Sequence, residues 1–365
     1  MQLQLIEKQN LTPQADKTVW CVTFQYSEPT EYAPGDWLTL KANNRAEFVS
    51  EILQKLGLSG DESIELRRIG KVSVTEALTE HLELSVVNPA ILNKLQRQYP
   101  DKLAGMHWLD RQAMMEYAYG RNILDLLEQF PKLTELKLNF LKVLMPLAPR
   151  YYSIASSQKE MANQVRLLIR QVQYQSHNRV HYGVTSTAIA HMNIGDTLPG
   201  NLIANRNFKL PDNPQTPIIM IAAGVGLAPF IGFMVERAAQ HQTGVTTGPN
   251  WLFFGETHQQ TTFLCQDKLQ QWQASGLLKL TTAFSRDQAD KIYVQHRLLE
   301  NQPLIYQWIQ QGAQLYVCGS KEKLAPAVEN ALSQILQQEA GITAEDAIAT
   351  LQKMKQQKQL QLDVY

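Results

Sequence analysis

Cysteine is scarce in this chain: Cys21, Cys265 and Cys318 are the only three among 365 residues. They are too few and too scattered for a disulfide framework or a C-x-x-C metal site, so no metal is expected. Neither sign of charge is in excess, because 34 Lys plus Arg balance 34 Asp plus Glu. That argues against a nucleic-acid binder working through a broad basic surface, and no nucleic-acid partner is expected. No stretch approaches the roughly 20 apolar residues of a membrane-crossing helix. Residues 1–17 lack a basic segment followed by an apolar one, so no secretion signal is read and a cytoplasmic location is the expectation. No internal repeat stands out, and the one biased segment is the Gln/Lys-rich Gln352 to Gln361.

What is present is globular in composition, with 44% hydrophobic and 19% charged residues, and long enough for two or three domains. The first 65 residues read as strands joined by turns. Thr18 to Glu28 is rich in β-branched and aromatic residues, and Pro34-Gly35-Asp36 is turn chemistry feeding Trp37 to Leu40. From about 74 to 149 the apolar spacing turns helical, punctuated by Pro100, Pro131 and Pro146. Strand signals return at Tyr151 to Ala155 and Val165 to Tyr174. From about Pro214, short apolar runs (Ile218 to Gly226, Asn250 to Glu256, Leu278 to Phe284, Ala313 to Ser320) alternate with helical patterns at Phe230 to Gln240, Cys265 to Ser275 and Leu324 to Glu339. That alternation predicts a parallel α/β sheet.

Three segments of the C-terminal part carry nucleotide chemistry. Ile218 to Ala238 is an apolar strand, a turn with Gly224 and Gly226, then an amphipathic helix. Its glycines let the backbone approach a pyrophosphate at a helix start, although G-x-G turns also serve packing, and Pro229 stands where a third glycine would complete the fingerprint. Ser285, Arg286, Lys291, Tyr293 and Gln295 cluster donors suited to a ribose 2′-phosphate, or form an ordinary solvated loop. No acidic residue stands out where an NAD-type enzyme holds the free ribose hydroxyl, so NADPH is favoured over NADH. Tyr316 to Ser320 ends a buried strand at the ligand-binding edge of the sheet. There Cys318 is either a reactive neighbour of a ligand or an inert small hydrophobe, and Ser320 reads as a helix N-cap.

Arg150-Tyr151-Tyr152-Ser153-Ile154-Ala155-Ser156-Ser157 combines a cation, two aromatics and hydroxyls on a short strand, a set that a planar ring and a pyrophosphate can both use. This run closely resembles the R-x-Y-S-I-A-S-S flavin motif of the ferredoxin–NADP reductase superfamily, within it the diflavin branch that includes the NADPH–sulfite reductase flavoproteins. Further motifs follow in the family's order: Tyr32 to Asp36, Asn122 to Leu127, Gly183-Val184-Thr185-Ser186, Trp251 to Gly255, Ser285 to Gln295, Tyr316 to Gly319 and Asp363-Val364-Tyr365.

The resemblance implies a β-barrel FAD domain with an α-helical connecting insertion, plus an α/β parallel-sheet NADP-binding domain. The boundaries it implies are 1–73 with 147–210 for the barrel, 74–146 for the insertion and 211–365 for the NADP domain. It places Arg150 and the turn Gly183, Val184, Thr185 and Ser186 at the FAD pyrophosphate, and Tyr152 on one isoalloxazine face. Ser153 falls near flavin N5, with Ile169 and Gln171 on the second flavin strand. Cys318 falls beside the nicotinamide, Asp363 completes that polar group, and terminal Tyr365 covers the other flavin face and swings aside as a gate. FAD and NADPH are the implied cofactors, with a hydride passing from NADPH to FAD and single electrons leaving to a separate partner such as a flavodoxin or FMN domain. Alternatives are direct reduction of a small acceptor (a ferric chelate or quinone) and a docking subunit with weak turnover.

Departures from the family pattern stand at Ala222-Ala223-Gly224-Val225-Gly226, where Val225 replaces a threonine, at Ser320, and at Arg170-Gln171. The barrel pattern begins almost at Met1. An FMN domain is therefore expected on another polypeptide, or the sequence is part of a longer protein.

Overall fold

The computed structural model describes residues 1–27 and 30–365, so Glu28, the last residue of the first strand-like run, lies outside the described residues. The chain divides into two compact units. The first comprises Met1–Thr39, Tyr151–Arg170 and Asn193–Tyr365, and the second Leu40–Arg150 and Gln171–Met192.

The first unit is built on two sheets. Strands β1 (Gln2–Asn10), β2 (Val19–Gln25), β3 (Trp37–Leu40), β4 (Arg150–Ser153), β5 (Gln164–Arg170) and β6 (Thr197–Ile203) form a six-stranded sheet in the order β4-β3-β6-β1-β2-β5. Its β1–β2, β1–β6 and β2–β5 pairings are antiparallel. The turn into β3 is fixed chemically. Asp36 accepts hydrogen bonds from Ala33 N at 2.9 Å, Asn205 N at 2.7 Å and Lys209 Nζ at 2.6 Å. Gly35 sits at φ 92°, where a Cβ would lie 1.9 Å from the Phe208 carbonyl oxygen, so no larger residue fits there.

The second sheet holds β7 (Ile218–Ala223), β8 (Asn250–Glu256), β9 (Lys279–Phe284), β10 (Gln314–Gly319) and β11 (Leu360–Val364). All four pairings are parallel, in the order β9-β8-β7-β10-β11. The predicted α/β alternation is therefore correct. Because strand side chains alternate in direction, Met220, Leu252, Phe254, Tyr316 and Cys318 enter one buried cluster, whereas Ile219, Ile221, Trp251, Phe253 and Val317 enter another. Helices Ala228–Gln242 and Leu324–Ala340 supply apolar stripes to the two clusters in turn. A sheet covered on both faces needs near-continuous apolar strands, which is what β7 and β8 have.

The second unit is mainly helical, with a core that includes Ile52, Leu78, Leu95, Ile123, Leu127 and Phe140. Three differences from the sequence reading stand out. Ala46–Leu56 is a helix where strands and turns were expected; its buried Val49, Ile52 and Leu56 recur at helical spacing, and it ends on left-handed Gly57. Within the stretch read as helical, Arg111–Ala118 and Ile123–Gln129 are separate helices, because Asn122 and Asp125 make a reciprocal capping box that starts the second one afresh. The strand signal Val165 to Tyr174 stops at Arg170 and resumes as a separate hairpin, Gln173–Ser176 with Arg179–Tyr182.

Candidate active site

In the first unit, parallel pairing of β10 with β11 sets Cys318 beside Asp363. One carboxylate then gathers three neighbours. Asp363 Oδ2 accepts from Ser153 Oγ at 2.6 Å, with the Cys318 sulfur 3.9 Å away, and Asp363 Oδ1 accepts from Trp37 Nε1 at 3.0 Å. Burial raises the Asp363 pKa, and the hydrogen bonds from Ser153, Trp37 and Cys318 oppose that shift. The fully buried Cys318 thiol is pushed well above its ordinary value, first by burial and then by the Asp363 charge. The thiol is therefore protonated at neutral pH, and the cluster is a held carboxylate with donors around it rather than a thiolate nucleophile. Ser153, Cys318 and Asp363, separate in sequence, are thus brought together. Trp37 was missed, since nothing local marks a strand tryptophan as a ligand of residue 363.

Tyr365 is anchored by its main chain: its N–H donates to Gly319 O at 3.1 Å and its carbonyl accepts from Lys321 N at 2.9 Å. The residue as a whole is 64% exposed, while burial, then Cys318 and Asp363, push its phenol above the ordinary value. Tyr152 is half-buried next to Ser153, and Tyr151 is exposed with its ring edge-on to Trp37. Ile169 is buried opposite Trp20 in the β2–β5 pairing.

The same edge of the parallel sheet carries the glycine turn. Gly224 has φ +58°, and a Cβ on Gly226 would stand 2.1 Å from the Cys318 carbonyl oxygen, so Gly226 lets the turn close against the end of β10. Val225 is only half-buried. The next loop follows on in register, because Ser285 N donates to Glu256 O at 2.9 Å and Arg286 N to Thr257 O at 2.8 Å. Ser285 is buried, and Arg286 is exposed with Asp16 at 3.5 Å. Lys291 and Tyr293 are exposed and Gln295 is half-buried. Ser320 Oγ accepts from Lys323 N at 3.2 Å, capping the turn that leads into helix Leu324–Ala340.

One reading needs correction. An acidic residue does stand at the end of the second strand of this β–α–β unit: Glu256, the last residue of β8. It follows Gly226 by 30 positions rather than the usual span of roughly 20, which hid it in the sequence.

The second unit holds Arg150, Gln171 and the turn Gly183 to Ser186. Helix Val184–His191 starts behind Gly183 with no side chain capping it, which leaves first-turn N–H groups for an anion. Gly183 is closely fitted: a Cβ there would lie 2.7 Å from Ser186 Oγ and 2.8 Å from Val172 Cβ. Arg150 donates to Glu83 Oε2 at 2.5 Å and to Ala148 O at 2.7 Å.

A cavity of about 190 Å³ opens beside this turn, lined in part by Asn44, Arg45, Asn122, Arg179, Tyr182 and Gly183. Asn44 Oδ1 and, within the helix, Thr187 Oγ1 are buried without a partner among the described residues. Uncapped helix N–H groups, a cavity and orphaned buried polar atoms fit the phosphates and polar edge of a flavin nucleotide. Glu83, Asn44 and the stacked Arg45–Tyr182 pair, whose centres are 4.4 Å apart, were not legible in the sequence.

A nucleotide-type parallel sheet with a glycine turn at its ligand edge, joined to a flavin-type strand motif, defines a dinucleotide-using flavoprotein. Comparison with known proteins agrees. Residues 1–188 match the FAD binding domain family and residues 220–330 match the oxidoreductase NAD-binding domain. The chain belongs to the FAD binding domain family and carries an oxidoreductase NAD-binding domain after it.

It is similar to the sulfite reductase (NADPH) flavoprotein alpha-component of Bacillus subtilis, 38% identical over 339 residues, covering 92% of this chain and 55% of that protein. The Vibrio cholerae El Tor protein of the same name is 37% identical over 338 residues, covering 92% and 54%. That of Serratia proteamaculans is 37% identical over 368 residues, covering 99% and 60%. The chain thus spans little more than half the length of these relatives. Among the described residues, no helix is long and apolar enough to cross a membrane.

Proposed function

We propose that the protein is an NADPH-oxidising FAD reductase that passes electrons singly to a separate acceptor protein. The observation that carries this reading is the convergence of Ser153, Cys318 and Asp363, with the Gly226 turn closed against the Cys318 carbonyl. When bound, FAD supplies the conversion of a two-electron donor into one-electron transfers, which nicotinamide alone does not do readily.

The protein's own part is binding, orientation and charge. Asp363 holds Ser153 Oγ and the Cys318 thiol in fixed positions, and its negative charge complements positive charge developing on a nicotinamide ring. The Gly224 to Gly226 turn takes the pyrophosphate of NADPH, and Ser285, Arg286, Lys291, Tyr293 and Gln295 take its 2′-phosphate. Gly183 to Ser186 and Arg150 take the FAD pyrophosphate. Tyr152 stacks on the flavin, Ile169 and Gln171 edge it, and Tyr365 covers its second face until the nicotinamide displaces it. A largely exposed Tyr365 on a tethered main chain suits that gate.

We read residues 1–73 with 147–210 as an FAD-binding barrel, 74–146 as its helical insertion and 211–365 as the NADP domain. The names of the relatives support a role as the reductase part of a sulfite reductase-type system; a flavodoxin-like or FMN-domain acceptor and a cytoplasmic location belong to the same proposal. The test is NADPH-driven reduction of purified flavodoxins and FMN domains, with ferricyanide as a generic acceptor. The reading expects a protein acceptor to be reduced with saturation kinetics. Turnover of ferricyanide alone removes the protein partner, and turnover of neither removes the reductase.

A further inference from the structure

Glu256 stands at this edge of the sheet, and the proposed reaction leaves its chemistry unused. Its side chain is 2% exposed. Oε2 is held twice, by an ion pair with Lys17 Nζ and by a 2.9 Å hydrogen bond from Thr257 N. Oε1 is buried and has no partner among the described residues, and it faces the glycine turn, 3.7 Å from where a Cβ on Gly224 would stand. A buried acceptor left unpaired costs free energy, so this carboxylate oxygen calls for a donor that the described residues do not supply.

We propose that Glu256 Oε1 accepts a hydrogen bond from a ribose hydroxyl of the bound nicotinamide dinucleotide. This rests on the NADPH reading above. Glu256 ends the strand that follows the glycine-turn helix, where NAD-type folds present a carboxylate to the free 2′-hydroxyl; NADPH carries a phosphate there, so the donor is its adenosine 3′-hydroxyl or a hydroxyl of the nicotinamide ribose. The phosphates of the dinucleotide are themselves anionic acceptors and cannot satisfy a carboxylate; hydroxyls can. The carboxamide and the adenine amino group are the other donors; Cys318, the expected neighbour of the nicotinamide, lies on β10, on the opposite flank of β7 from Glu256, and an inosine analogue tests the adenine. Lys17 makes the carboxylate tolerable here. The pair is neutral, so it does not repel the neighbouring phosphates, and the lysine fixes which oxygen stays free.

The charge-conserving variant K17M/E256M removes the acceptor while keeping the site's net charge and approximate volume. FAD-loaded wild type and variant are titrated calorimetrically with NADP⁺, 2′,5′-ADP and inorganic pyrophosphate. Loss of a hydrogen bond to a charged group predicts NADP⁺ binding about tenfold weaker, with pyrophosphate unchanged. An equal loss with 2′,5′-ADP that persists with its inosine analogue, which has no amino group, places the hydroxyl on the adenosine ribose; an undiminished 2′,5′-ADP affinity places it on the nicotinamide side, and a loss confined to the adenine form overturns the proposal. NADP⁺ affinity within twofold of wild type, or an equal loss with pyrophosphate, overturns the proposal.

If the double variant does not retain FAD, Lys17→Gln/Glu256→Leu replaces it, which also keeps the net charge and leaves neither acceptor nor donor at residue 256; the same NADP⁺ loss is expected, and wild-type affinity overturns the proposal. A wild-type protein that binds no NADP⁺ overturns the NADPH reading itself, a result distinct from each of these.

Discussion

Replacing Ser153 by alanine deletes the shortest hydrogen bond to a buried carboxylate, 2.6 Å from Oγ to Asp363 Oδ2. Trp37 Nε1 at 3.0 Å remains, on the other oxygen. A hydrogen bond to a charged group is worth about 1.5 kcal/mol at the lower end of its range, suited to a half-buried hydroxyl that water partly replaces. At about 1.4 kcal/mol per pKa unit, the Asp363 pKa should rise by about one unit.

The sign follows from linkage. Burial already holds the folded-state pKa of Asp363 above its ordinary 3.8, so ionising it in the folded protein costs stability. That cost is absent below the unfolded pKa and complete above the raised folded one. Ser153→Ala enlarges it. The variant should match wild type in acid and fall behind by about 1.5 kcal/mol as pH rises through the folded pKa. Urea unfolding of both proteins at a series of pH values from mildly acidic to pH 8 reads this directly, with Ser153→Thr, which keeps the hydroxyl, as the control. In the same variant, the acid limb of NADPH-dependent flavin bleaching should move up by about one pH unit. A stability difference that is the same at every pH would refute the claim that Ser153 acts through the Asp363 charge.

Three further outcomes follow from the nucleotide edge. Gly226→Ala drives a methyl group to 2.1 Å from the Cys318 carbonyl; calorimetry should show NADP⁺ binding lost, with FAD retained and stability lowered by about 2 kcal/mol. On the proposed contact between the guanidinium and the 2′-phosphate, Arg286→Ala should weaken 2′,5′-ADP about 10- to 100-fold while leaving NAD⁺ nearly unchanged. Val225→Thr restores a hydroxyl beside the pyrophosphate turn and should tighten NADP⁺ up to about tenfold; unchanged affinity would mean the hydroxyl has no role in this turn.

The parallel sheet was legible because its strands are buried on both faces and read as unbroken apolar runs between helical patterns, as Ile218 to Ala223 does. The strand proposed to meet the flavin stood out in the sequence through one dense motif, Arg150 to Ser157. Helix Ala46–Leu56 carried a readable signal in its buried Val49, Ile52 and Leu56 and its terminal Gly57, but the surrounding strand chemistry masked it. The Trp37–Asp363 and Lys17–Glu256 contacts span 326 and 239 residues, and no local pattern encodes such pairings; they arise only when strand order and register are known. Arg150 shows the same limit. Its cationic character was visible, but its pairing with Glu83, supplied by the helical segment, was not.

The central claim is tested most directly by an anaerobic titration of the FAD-reconstituted protein, followed at the flavin absorbance band. The account predicts one FAD per chain and rapid bleaching by one equivalent of NADPH, with NADH much slower at equal concentration. A protein that takes up no FAD, or a bound flavin that NADPH leaves oxidised, would contradict it.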